Sequence, residues 1–158
     1  MPHAGCRVRT GRVSNVERVH VSERLAPVAG SAARARTLVD ESFASWGCAD
    51  LAPDARLVAA ELVANAVCHA ATTIELGLEL ADGYVRVSVA DRAGGVPIVE
   101  HPGPDELGGR GLQIVERLSD SWGFERRDGG KVVWARWRIR PPRRRATAEE
   151  TEAFSPRS

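Results

Sequence analysis

Cysteine, lysine and long apolar runs are what this chain has least of. Its three cysteines (Cys6, Cys48 and Cys68) are too few and too scattered over 158 residues for a disulfide framework or a zinc knuckle. They read as three reduced thiols of a cytosolic protein. Cys68 precedes His69, but two ligands alone do not make a metal site. Lysine occurs once, at Lys131, among 22 basic residues, a bias of the kind genome composition produces. Charge of neither sign dominates: the net value of +1 gives no reason to expect nucleic acid or a membrane as partner. No stretch reaches the roughly 20 apolar residues of a membrane span. Met1-Pro2-His3-Ala4-Gly5 has no apolar signal core, so the expected location is cytoplasmic. What is present, 158 residues of which 43% are hydrophobic, suffices for one domain that buries its own core.

The composition along the chain divides it in three. Residues 1–16 are rich in Gly, Arg, Ser and Asn and read as a flexible N-terminal arm. Residues 17–140 carry the periodic segments. Residues 141–158 are rich in Pro, Arg, Ala, Thr, Glu and Ser and read as a disordered tail, with Arg143-Arg144-Arg145 a solvated basic run. Within the middle part, Val19-His20-Val21-Ser22 alternates and predicts a short edge strand. Ser31 is an N-cap candidate for a helix over 32–46 that buries Ala35, Leu38, Val39, Phe43 and Trp46 and stops at Gly47. Pro53-Asp54 opens a second helix that runs to Ala70, with Leu57, Val58, Leu62 and Ala66 on its apolar stripe. Two alternating strands follow, 74–80 and 84–90, joined by the hairpin signal Asp82-Gly83. A last hairpin turns at Asp128-Gly129-Gly130, with Val132, Trp134 and Trp137 expected to face inward.

Three stretches carry chemistry. In the second helix Glu61, Asn65 and His69 recur every fourth residue, which stacks them in one row beside the apolar stripe. A carboxylate and an amide oxygen in such a row suit magnesium and phosphate chemistry, although a solvated helix face has the same spacing. Asp91-Arg92-Ala93-Gly94-Gly95 puts a carboxylate at a strand's end, followed by glycines that let backbone approach a ligand. A segment with Pro102, Gly103 and Pro104 then reads as a binding loop or lid. It leads to Gly108-Gly109-Arg110-Gly111-Leu112, where glycines precede an amphipathic helix. There free N–H groups and the helix dipole favour an anion. The pattern is neither a Walker loop nor a dinucleotide fingerprint.

The ordered set of polar helix, Asp-x-x-Gly-Gly, lid-like loop and Gly-Gly-x-Gly helix start resembles the histidine-kinase-like (GHKL, Bergerat-fold) ATPase superfamily over about residues 20–140. The small size and the tryptophan-bearing last strand look most like the anti-sigma regulatory factor branch, whose members include serine/threonine protein kinases. The resemblance implies an α/β two-layer sandwich, a mainly antiparallel mixed sheet with helices on one face, and ATP and Mg2+ as cofactors. It implies Glu61 as the catalytic or water-orienting glutamate and Asn65 as the magnesium-holding asparagine. Asp91 would be the adenine-recognising aspartate with Gly95 beside it. Gly109, Arg110, Gly111 and Leu112 would form the lid over the phosphates, and His69 would have a structural role. The implied function is a serine/threonine kinase that phosphorylates an anti-sigma factor antagonist and sequesters a sigma factor. The alternative is a non-catalytic ATP-binding switch acting through protein–protein contact. Dimerisation is common in the branch. Two positions depart from the pattern: Leu107 stands where relatives commonly have arginine, and Val132 where many have threonine.

Overall fold

The computed structural model describes residues 7–13, 16–70, 72–92 and 111–140. Six strands, β1 (Arg7–Val13), β2 (Val16–Leu25), β3 (Ile74–Ala81), β4 (Tyr84–Asp91), β5 (Ser121–Arg127) and β6 (Gly130–Arg138), form one sheet in the order β1-β2-β3-β4-β6-β5. Every neighbouring pair is antiparallel. The sequence pattern is less complete at the start. Arg7–Val13, within the stretch read as an arm, pairs along its length with β2. β2 is therefore ten residues long and lies between β1 and β3, not at an edge. Residues 7–13 have only Val8 and Val13 as apolar side chains, five positions apart, too few to announce a strand by alternation.

Among the described residues three α-helices, α1 (Gly30–Ser45), α2 (Ala52–Ala70) and α3 (Gly111–Leu118), cover one face of the sheet. That face is set by register. Val21, Leu78, Val87 and Ala135 follow one another across β2, β3, β4 and β6, and all are buried. Val85 with Trp137 and Val89 with Val133 repeat the pattern, and these residues share one core with Phe43, Val58, Leu62 and Val63 of the helices. Fully burying one such aliphatic side chain contributes about 1.5–3 kcal/mol, so this layer fixes which strand faces point inward. The inward residues of β6 are accordingly Val133, Ala135 and Trp137. Trp134, expected inside, lies on the opposite face, with the guanidinium carbons of Arg86 and Arg136 at 5.0 and 5.7 Å from its ring centre.

The helix ends follow local chemistry with one exception. Gly47, at φ 73°, closes α1. Cys48 N–H bonds Phe43 C=O and Gly47 N–H bonds Ala44 C=O, the paired C-terminal bonds that a left-handed glycine permits. Ser31 does not cap α1: it lies inside the helix, and its hydroxyl donates 2.6 Å back to Ala26 C=O. A buried hydroxyl takes whatever acceptor is near, and here the preceding turn supplies it. Leu57, assigned to the stripe of α2, is 40% exposed on the outer side. α1 is tied to the sheet by a bidentate pair, Arg34 to Glu23 at 2.8 Å through both nitrogens.

Candidate functional site

The polar row of α2 survives folding. Glu61 and Asn65 are half-buried and His69 is exposed, one turn apart on the same helix. The neighbour they meet is the first residue of α3. A methyl group placed on Gly111 would stand 3.0 Å from Asn65 Nδ2, 3.2 Å from Asn65 Oδ1 and 3.1 Å from Glu61 Oε2. Glycine is what lets the helix start approach both side chains this closely. The first turn of α3 carries no acidic residue. The positive dipole end of α3 is therefore faced by the Glu61 carboxylate and the Asn65 amide of the neighbouring helix.

Asp91 ends β4 with the same parity as Val85, Val87 and Val89, so its side chain points toward the helical layer that contains Asn65. It is 4% exposed. The carboxylate and the α2 row thus share one side of the sheet. Across the ladder Asp91 faces Lys131, whose Nζ lies 3.6 Å from Asp91 Oδ2 and whose side chain is only 11% exposed. Sequence reasoning looked to Val132 for the residue near this aspartate and gave Lys131 no role. In the run Lys131-Val132-Val133-Trp134 either parity is apolar, so only strand pairing decides. The signal that was available is the isolation of this lysine among arginines. Gly130 begins β6 hard against the Asp91 carbonyl, where a side chain has no room.

Leu112 is 6% exposed in the core, so its backbone rather than its side chain is available to a ligand. Gly95, Gly109 and Arg110, like Leu107, lie outside the described residues. Thr72 Oγ1 accepts a long bond, 3.4 Å, from the N–H of Arg92, where the chain leaves β4. Among the described residues no three His, Cys, Asp or Glu side chains are grouped to hold a metal. The donors present suit an ion that takes few protein ligands and many from phosphates, as magnesium does. A shallow groove of about 600 Å³ between α1 and α2 is lined by residues such as Arg36, Asp40 and Arg56 and by none of the α2 row. No helix of the described residues is long and apolar enough to cross a membrane.

Residues 20–137 match the model of the histidine kinase-like ATPase domain. The structure is similar to that of the RsbU and RsbW domains of Rv1364c from Mycobacterium tuberculosis, with 26% sequence identity and a TM-score of 0.56. The likeness covers 76% of this chain and 33% of that one, so the chain spans about a third of the length of that structure. No curated protein matches the chain.

Proposed function

Because the chain belongs to the family of histidine kinase-like ATPase domains, we propose that it is an ATP-binding regulator of the anti-sigma-factor type. On this reading it is a serine/threonine kinase that phosphorylates an antagonist protein and sequesters a sigma factor. The likeness to a structure containing an RsbW domain supports this branch. The observation that carries the reading is Gly111, bare and in contact distance of both Glu61 and Asn65, on the side of the sheet to which Asp91 points.

ATP with Mg2+ would supply the transferable phosphoryl group. The residues present fit that group. Asn65 offers an amide oxygen to the ion, and the α3 N-terminus offers N–H groups to phosphate. Asp91 offers an acceptor to an exocyclic amine. Glu61 orients the attacking hydroxyl, a task in which positioning outweighs basicity. Gly95, Gly109, Arg110 and the backbone of Leu112 complete the proposed nucleotide contacts. Sigma factor and antagonist are the proposed partners, in the cytoplasm, with a homodimer as the proposed assembly.

Incubation with labelled ATP, the candidate antagonist and Glu61→Ala tests the catalytic part. Transfer by the wild type and its loss in Glu61→Ala, with nucleotide still bound, support the kinase. Nucleotide binding without transfer by the wild type supports the alternative, a non-catalytic ATP-binding switch.

A further inference from the structure

Asp91 does not face the site alone. The only lysine of the chain stands opposite it in the β4–β6 ladder, half-buried, with its ammonium 3.6 Å from one carboxylate oxygen. The chain uses arginine at all 21 other basic positions, 22 less one. The two cations differ in what they leave over. An arginine fork grips a carboxylate through paired N–H groups, whereas an ammonium is a compact charge with three donors, not all of which one oxygen can accept.

This changes what the end of β4 can read. A carboxylate alone only accepts hydrogen bonds, so it attracts the 6-amino group of a purine and repels a 6-oxo group. A carboxylate with an ammonium beside it offers an acceptor and a donor at once. We propose that Lys131 is a base-reading residue whose ammonium, paired with Asp91, lets the site accept a 6-oxo purine nucleotide as well as a 6-amino one. The proposal rests on the nucleotide-binding reading above and adds the class of base to it.

Equilibrium binding of ATP and of GTP, each with Mg2+, to the full chain and to Lys131→Met tests it. Methionine keeps an unbranched side chain as far as Cε and removes the ammonium with its donors. The wild type is expected to bind GTP within tenfold of ATP. In Lys131→Met the ratio of GTP to ATP affinity should fall at least tenfold, or about 1.4 kcal/mol. A wild type that prefers ATP by more than tenfold overturns the inference and leaves ATP binding intact. So does a ratio that moves less than tenfold in a folded Lys131→Met. If neither nucleotide binds, the proposed function fails along with it. The wild-type ratio decides even where the variant does not fold.

Discussion

Gly111 is the residue on which fold and site are easiest to separate. Alanine there would add a methyl group 3.0–3.2 Å from the polar atoms of Glu61 and Asn65, tighter than ordinary contact. Alanine is also the better helix former, by about 1 kcal/mol in a helix interior and less at its first residue. Gly111→Ala is therefore expected to keep the melting temperature within a few degrees while nucleotide affinity falls at least tenfold; parallel melting and titration check this. Glu23 shows the opposite balance. It is buried and holds Arg34 through two bonds of 2.8 Å. Glu23→Ala should cost about 2–4 kcal/mol in urea unfolding, since charge-assisted bonds are worth about 1.5–3 kcal/mol each and Arg34 is partly exposed. Cys48, 2% exposed, has its thiol pushed above the ordinary value of 9.0 by burial first and by Asp50 second. A raised pKa leaves stability intact below the unfolded value and erodes it as pH rises past that value through the folded one. Stability should thus decline above about pH 9, and Cys48 should resist thiol reagents until unfolding while exposed Cys68 reacts. Equal labelling rates for the two would refute this.

Helices and strands show which parts of the structure were legible in the sequence. The row Glu61, Asn65 and His69 could be read because a spacing of four has one meaning on a helix. Asp91 could be read because it ends a strand whose alternation had already named the inward face. The parity of β6 was not legible, and Lys131 was missed with it. Gly77 and Gly123 lie in one cross-strand row with Ser88 and Trp134, on the face away from α1, α2 and α3. A methyl group on Gly123 would come 2.8 Å from Trp134 Cζ2. Moving the ring would disturb its contacts with the Arg86 and Arg136 guanidinium groups. Gly123→Ala should therefore destabilise by about 1–3 kcal/mol, as overpacking does. Unfolding that matches the wild type would mean the ring moves freely.

For the molecule as a whole, antiparallel pairing carries the chain back and forth until the end of β4, the middle of α2 and the start of α3 lie on the same side of one sheet. No sequence period encodes that convergence. It follows from which strands pair. The central claim is that these three places hold one nucleotide. Ligand bound only by the folded state, at about 100 times its dissociation constant, adds roughly 2.7 kcal/mol of stability, which raises the melting temperature of a domain this size by about 5–10 °C. The most direct measurement is thermal unfolding of the wild type and of Asn65→Ala with and without MgATP. A shift of that size in the wild type, lost or strongly reduced in Asn65→Ala, is the predicted result. No shift in the wild type, or an equal shift in both, would contradict it.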